Sequence, residues 1–309
     1  MPKKKALVTQ SNRLIEARYT LTAAEQKLIL ALISKIHPED DDLKPYEMSL
    51  NELAQLMGIT LSNCRLEIAA VTKRLIGRVL TLQSEPGHFV QVGWICRAAH
   101  KPGFVSVSFV PDLKPYLLRL KSEFTTCELG VVNQLSGKYT IRLYLLLKQY
   151  VFIGWREFEL AELRHILSIE KDEYREYKRF SQRILAQAKK EMEAIDETGR
   201  HKSDLSFQVE TIREGRKISR LKFIIVKNDM NAVKKAKAGN VGKSLQKIAD
   251  SAIKPQPIAR QFNFPEYWDE FLKYVERNDP GLLPIIDSDG PECLLVKVPY
   301  NKWSREFKR

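Results

Sequence analysis

One twelve-residue segment occurs twice in this chain, and this repeat limits the possible folds more than any other feature. MSLNELAQLMGI spans 48–59 and FELAELRHILSI spans 158–169, at an offset of 110 residues. At this offset Leu53 matches Leu163, and five further positions match in the same way. Apolar residues recur at i, i+3, i+6 and i+7, a spacing typical of a short amphipathic helix. We therefore expect a fold that contains the same unit twice.

The segments on either side of the repeat match as well. An amphipathic helical pattern precedes the first copy at 21–36, and a similar one precedes the second copy at 137–152. A longer helical pattern follows each copy, at 62–80 and at 172–197. Each half of the chain is thus predicted to contain three consecutive helices.

Alternating apolar residues follow the third helix in each half. They lie at 90–96 and 105–109 in the first half, and at 205–209 and 221–225 in the second. Alternation with period two across a glycine-containing turn predicts a β-hairpin packed on one face. Three helices followed by a hairpin is the order of a helix-turn-helix with its wing.

The predicted fold class is therefore α+β, with two tandem winged-helix domains and a C-terminal extension. The first domain is predicted at 1–120 and the second at 121–228. A segment rich in Lys, Ala and Gly at 229–261 is typical of a basic linker. The remaining residues, 262–309, are predicted to form a small C-terminal element, to which the sequence assigns no role.

The charge of the chain favours a polyanionic partner. The 51 Lys and Arg residues exceed the 38 Asp and Glu residues, which gives a net charge of +13. Cations that neutralise nucleic-acid phosphates release condensed counterions, and this release favours binding. A soluble protein with a basic surface and no nucleic-acid partner is the alternative.

Several other classes of protein lack their usual sequence features here. No HxH or HxxxH pair and no GxxxxGK[ST] loop occurs, so we expect neither a metal-dependent nicking enzyme nor an ATPase of that type. The four cysteines form no CxxC pair, which fits a reducing cytoplasm. No run of 18 apolar residues occurs, so no membrane span is expected. We therefore predict no enzymatic activity, no metal and no cofactor.

The helical pattern at 172–197 is the strongest candidate for a DNA-reading element. On a helical wheel Tyr177, Ile184, Ala188, Met192 and Ile195 fall on one side, which predicts the packed face. The opposite side carries cations and an amide, namely Arg175, Arg179, Gln182, Arg183 and Lys190. Arg is suited to guanine O6 and N7, and Gln to adenine N6 and N7. A solvated helix face held by ordinary charge pairs is the alternative.

Two weaker candidates lie elsewhere. The third helix of the first half carries Asn63, Lys73 and Arg74 on its outer side, but Glu67 lies there too, so base reading and a plain contact surface stay equally open. The tip of the second hairpin carries closely spaced cations that suit phosphate or minor-groove contact. These are Arg213, Arg216, Lys217 and Arg220.

Six segments in order resemble the initiator replication proteins of bacterial plasmids whose origins contain iterons. SNRLIEARYTLTAAEQKLILALISKI and VSVSFVPDLKPYLLRLK resemble the first domain of that family. GKYTIRLYLLLKQY, FELAELRHIL and YKRFSQRILAQAKKEMEAI resemble its second domain, and IREGRKISRLKFII resembles the second wing. The likeness covers roughly 7–227 and leaves the remaining C-terminal residues unexplained.

The resemblance implies a function. Members of this family bind direct repeats in double-stranded origin DNA, help to open it, and bring in the host initiator and the replicative helicase. As dimers in equilibrium with monomers, they also bind an operator inverted repeat and repress their own gene. By position, the likeness places the main contacts on Lys178, Arg179, Gln182 and Arg183 and implies a bacterial cytoplasmic protein. A winged-helix transcriptional repressor without a role in replication remains the alternative.

Overall fold

The order of elements predicted from the repeat occurs twice in the computed structural model, which describes residues 5–37, 40–85, 88–230 and 273. The predicted linker and C-terminal element lie outside the described residues, apart from Asp229, Met230 and Lys273. No helix in the described ranges is both long enough and apolar enough to cross a membrane.

An N-terminal arm precedes the first module. It consists of β1 (Leu7–Ser11), α1 (Asn12–Glu16) and β2 (Arg18–Tyr19). The first module itself contains α2 (Ala23–Ile33), β3 (Tyr46–Ser49), α3 (Leu50–Met57), α4 (Leu61–Ile76) and the strands β4 (Val79–Glu85), β5 (His88–Gly93), β6 (Ile95–Lys101) and β7 (Phe104–Phe109).

A second arm of similar design leads into the second module. A 3₁₀ turn (Pro111–Leu113) and α5 (Lys114–Leu117) are followed by β8 (Phe124–Glu128) and α6 (Leu129–Gln134). The second module then contains α7 (Lys138–Lys148), β9 (Trp155–Glu159), α8 (Leu160–Ile166), α9 (Tyr177–Phe180), a π-helical turn (Ser181–Leu185), α10 (Ala186–Glu193), β10 (Leu205–Glu214) and β11 (Lys217–Lys227).

The two modules share one topology. In the first module the short strand β3 pairs with β7, and the sheet order is β3-β7-β6. In the second module β9 pairs with β11, and the sheet order is β9-β11-β10. Each sheet thus joins the strand before the second helix to a C-terminal hairpin, which confirms two winged-helix domains.

The first hairpin differs from its prediction. The expected strand 90–96 is interrupted at Trp94, and β4 and β5 form an additional hairpin that pairs with β2. Trp94 is fully buried with its ring 5.0 Å from that of Tyr19, so the chain turns inward there. The wing of the first domain is instead β6–β7. The helix expected at 62–80 ends at Ile76, and Val79 begins β4.

The helix expected at 172–197 is shorter than predicted. Residues 171–174 form turns, in which Tyr174 has a φ of 50°, a value that a helix does not tolerate. The helix begins at Tyr177 and ends at Glu193, because Ala194 is extended. Ile195, expected on the packed face, is exposed and forms an isolated bridge with His201.

The two arms pair with one another. β1 and β8 are antiparallel, and Thr9 lies opposite Thr126 at the centre of the pair, with 3.0 Å between their hydroxyl oxygens. The first arm's helix α1 packs against α7 of the second module, while α6 packs against α2 of the first. Each arm therefore contacts the module of the other copy, and the pairing has local two-fold character.

A buried carboxylate links α2, the first helix of the first module, to α4, the third helix. Thr22 and Glu25 form a capping box at the start of α2, and Glu25 is fully buried. Its carboxylate accepts hydrogen bonds from Nε of Arg74 and Nε of Arg78, each at 3.2 Å. Burial by itself raises the pKa of Glu25. The hydrogen bond from the Thr22 amide and the two arginines lower it by more, so the net pKa lies below its usual value.

Glu25→Gln is expected to lower the free energy of unfolding by about 1–2 kcal/mol at neutral pH, because charge-assisted hydrogen bonds become neutral ones. Since folding lowers the pKa of Glu25, its stabilisation is complete above the ordinary carboxyl pKa and is lost as the pH falls through the folded-state pKa. Urea unfolding at neutral and acidic pH measures this stabilisation. The difference in the free energy of unfolding between variant and wild type should be smaller at acidic pH.

Glu52 provides the matched control for this prediction. It occupies the same capping-box position in α3, but its side chain is exposed and pairs with Lys35. Glu52→Gln should lower the free energy of unfolding by less than about 1 kcal/mol. An equal loss of unfolding free energy in the two variants would show that the burial of Glu25 adds nothing to the stability that its hydrogen bonds provide.

Candidate nucleic-acid interface

The third helix of the second module is built from three segments that run without interruption from 177 to 193, and we call it the composite helix. Its inner side is apolar and fully buried against the module, through Phe180, Ile184, Leu185, Ala188 and Met192. The π-helical turn in its middle widens the helix between two α-helical segments, an irregularity that often marks a functional site.

The outer side of the composite helix carries the predicted contact residues. Lys178, Arg179, Gln182, Arg183 and Lys190 are all exposed. Arg175 is also exposed, but it lies in the turn before the helix. Within the described ranges no ion pair engages Lys178, Arg179 or Arg183. Their charged groups are thus available to a ligand. The alternative, a helix face held by ordinary charge pairs, would require ion pairs at these positions.

The turn before the composite helix is held by an arginine that the sequence reasoning missed. Nη1 of Arg164 donates to the Tyr174 carbonyl at 2.9 Å, and Nη2 donates to the Glu173 carbonyl at 2.6 Å. This turn is longer than the three residues, 58–60, that separate α3 from α4. Arg164 therefore fixes the point from which the composite helix starts. A charged residue on a short amphipathic helix gave no sequence signal of this role.

The second wing extends beyond its three-stranded part. β9 pairs with β11 only as far as Arg220, so the two-stranded tip projects from the module. Gly215, with φ of 61°, forms the tight turn together with Arg216. Arg213, Arg216 and Lys217 are exposed around this turn. The structure thus brings three of the four predicted cations together at one tip. The fourth, Arg220, lies in the three-stranded part and forms an ion pair with Glu157 of β9.

The outer side of α4 is less basic than the composite helix. Asn63 and Lys73 are exposed there, as predicted. Arg74 is also exposed, but its guanidinium is bound to the buried Glu25 carboxylate, which gives it a structural role. Sequence reasoning missed Leu66, whose side chain is 79% exposed on this side of the helix. The spacing of Asn63, Ala70 and Lys73 on the wheel places Leu66 among them.

Residues 16–18 of the first arm attach to the second module through three arginines. Arg142, fully buried in α7, donates from Nη2 to the carbonyls of Ala17 at 2.7 Å and of Ile166 at 3.1 Å. Nη2 of Arg156 lies 2.7 Å from Oε1 of Glu16, and Arg18 lies 3.4 Å from Glu170. Since Ile166 ends α8, this contact reaches the helix-turn-helix itself.

Cys64, Cys96 and Cys127 are free thiols, and burial raises the pKa of Cys127 to about 12. Within the described ranges, no three His, Cys, Asp or Glu side chains are grouped so that they could hold a metal ion.

Comparisons with known proteins also find two winged-helix domains, and the match to the first of them extends through α7. Residues 7–148 match a family model described as Initiator Replication protein, WH1, and residues 159–225 match one described as Initiator Rep protein, WH2. A relative from Escherichia coli described as a replication initiation protein is 29% identical over 225 residues, which cover 67% of this chain and 71% of the relative.

A solved structure is similar in fold. The Pi initiator protein, crystallised in complex with iteron DNA, is 22% identical and aligns with a TM-score of 0.57 over 74% of this chain and 99% of that chain. At this level of identity the likeness concerns the fold alone.

Proposed function

Because this chain belongs to the initiator replication protein family, with matches to both of its winged-helix domains, we propose that it binds iterons, the direct repeats of a plasmid origin. In this proposal it opens the adjacent DNA, recruits the host initiator and the replicative helicase, and represses its own gene as a dimer. No catalytic step and no cofactor is needed for any of these actions.

The single observation that carries this proposal is the outer side of the composite helix. It is the third helix of a winged-helix module, the element that enters the major groove in helix-turn-helix proteins. Arg179, Gln182 and Arg183 are exposed on it and can donate to the edges of guanine and adenine. Its inner side is fully buried, so the orientation of this face is fixed by the core.

The second wing supports the proposal with a different type of contact. Its projecting tip carries Arg213, Arg216 and Lys217, and cations on a two-stranded turn are suited to phosphates beside the groove. Phosphate contacts position the protein on the duplex, whereas base contacts select the sequence. The composite helix and the wing therefore divide recognition between them.

The first module adds a second, weaker contact with the same duplex. Its α4 corresponds to the composite helix, and Asn63 and Lys73 are exposed on its outer side. Residues 16–18 are attached to both α7 and α8 of the second module, which fixes the spacing of the two modules. The proposed site is thus longer than the groove segment that one helix can read.

Footprinting of the full chain on the DNA around its own gene tests this proposal. We expect protection of tandem direct repeats beside an A·T-rich tract, with affinity that falls steeply as salt rises. Protection of a lone inverted repeat, without direct repeats, would favour the transcriptional repressor. A covalent adduct with supercoiled DNA would reveal a nicking enzyme and overturn the proposal.

A further inference from the structure

An exposed leucine lies at the middle of the outer side of α4. Leu66 has 79% of its surface exposed, the second-highest exposure among the large apolar residues that are exposed in the described ranges. Cys64, Ile68, Val71 and Leu75 are buried and define the opposite side of the helix. At 100° per residue Leu66 points directly away from them. A scattered surface leucine needs no explanation, but its place on this helix is specific.

The internal repeat gives the position of Leu66 in the second module. The wing strands β7 and β11 correspond at an offset of 116 residues, because Val107 and Phe223 have equivalent partners on β3 and β9. The same offset superposes the first two buried residues of the third helices, Cys64 on Phe180 and Ile68 on Ile184. After the π-helical turn the offset of the buried residues becomes 117, and Val71 falls on Ala188. The offset of 116 therefore places Leu66 on Gln182.

Neighbouring positions follow the same correspondence. Asn63 falls on Arg179. An exposed alanine also follows the central residue by four positions in both modules, Ala70 after Leu66 and Ala186 after Gln182. The second module thus presents an amide at the position where the first presents an aliphatic side chain. Both modules keep a small residue beside it, which allows the helix to approach the bases closely.

We propose that Leu66, with Ala70 beside it, recognises the 5-methyl group of thymine in the major groove. This inference rests on the proposed DNA-binding function and extends it to the first module. Aliphatic side chains select thymine because its methyl group is the one apolar feature of the major-groove edge. Burial of that methyl group against Leu66 removes apolar surface of both partners from water.

The surroundings of Leu66 favour a duplex over a protein partner. The side chains next to it on the outer side are small, polar or cationic, namely Ser62, Asn63, Ala69, Ala70 and Lys73, and the acidic Glu67 lies at the flank of this side. The wing β6–β7 packs beside α4, so the helix keeps the orientation of a winged-helix reading element. Recognition of a methyl group also explains why this face binds DNA with few cations.

Substitution of uracil for thymine tests this inference, since uracil lacks only the methyl group. A duplex is first selected by the full chain from random-sequence DNA, and each thymine is then replaced in turn. For the wild type we expect about a fourfold loss of affinity at one or two thymines outside the bases read by Arg179. Leu66→Ala should lose about fourfold on the thymine duplex and should not lose more with uracil.

Two further variants make the result specific. Leu7→Ala removes another exposed leucine, in β1, and should leave the response to uracil unchanged. Leu66→Gln copies the second module and should shift the preference at that base pair from thymine toward adenine. Since Leu66 is exposed, the melting temperatures of its variants should match that of the wild type.

The inference is overturned if no uracil substitution in that part of the site weakens binding, if Leu66→Ala keeps the wild-type response, or if the selected site has no thymine there. A Leu66→Ala variant that binds DNA normally but loses a protein partner would overturn it as well. If the full chain selects no sequence at all, the proposed function fails; if only the uracil response is missing, this inference alone fails.

Discussion

Arg179→Ala and Arg183→Ala are each expected to weaken binding to the selected repeat by about 1–3 kcal/mol and to relax the sequence preference at one base pair. Both side chains are exposed on the composite helix and, among the described residues, form no ion pair. In the part of the chain that the structure describes, no ion pair or side-chain hydrogen bond of theirs has to break when they bind DNA. Their loss should also leave the fold intact, because the packed side of the helix is unchanged.

Affinity for the selected duplex and for a random duplex of equal length separates base contacts from phosphate contacts. Lys217→Ala, at the tip of the second wing, is the matched control. It should weaken binding to both duplexes alike and lower the slope of the logarithmic salt dependence by about 1. Equal small losses on both duplexes for Arg179→Ala would mean that this residue contacts phosphate only.

Arg142→Met is expected to lower the free energy of unfolding by about 2–4 kcal/mol, since it leaves two buried carbonyls without their donor. It also removes a cation that lies 3.7 Å from the centre of the Tyr19 ring. Burial lowers the pKa of Arg142, and the acceptors around it keep the guanidinium within the core. Methionine fills a similar volume, so the loss reflects the lost polar contacts more than an empty cavity.

Arg18→Met provides the matched control for Arg142. Arg18 ties the same arm to the second module, through an exposed ion pair with Glu170. Its replacement should change the free energy of unfolding by no more than about 1 kcal/mol. Urea unfolding of the two variants gives the comparison, and a larger loss for Arg18→Met would contradict the role assigned to Arg142.

The sequence predicted the repeated parts of the fold well because each copy supports the assignment of the other. The apolar spacing at 48–59 and 158–169 corresponds to α3 and α8, and the alternation at 205–209 and 221–225 lies within β10 and β11. Local periodicity reports which side of an element is buried. Where both copies show the same order, the winged-helix topology follows.

The errors lie where tertiary contacts outweigh local pattern. The alternation at 90–96 looks like one strand, but the burial of the Trp94 ring breaks it in two. Residues 171–174 have helical spacing, yet Arg164 binds the carbonyls of Glu173 and Tyr174 and stabilises turns. Neither contact leaves a signal in the local sequence, since the partners become neighbours only after folding.

The candidate site was only partly predicted, because local periodicity reports exposure but not contacts between residues that are distant in the chain. A helical wheel identifies the exposed cations of the composite helix, because exposure follows from periodicity. It does not reveal that Arg74 is held by Glu25, a residue 49 positions earlier in the chain. Nor does a search for cations and amides identify an aliphatic reader such as Leu66.

The antiparallel pair of β1 and β8 has a consequence for the symmetry of the proposed DNA site. Two identical subunits joined in this way would recognise a palindrome, because the two half-sites would have to have the same sequence. Here the two halves belong to one polypeptide, with Thr9 opposite Thr126 at the centre of the strand pair, and the outer sides of their third helices carry unlike side chains. The proposed DNA site is therefore asymmetric, and copies bound to successive direct repeats would all have the same orientation along the DNA.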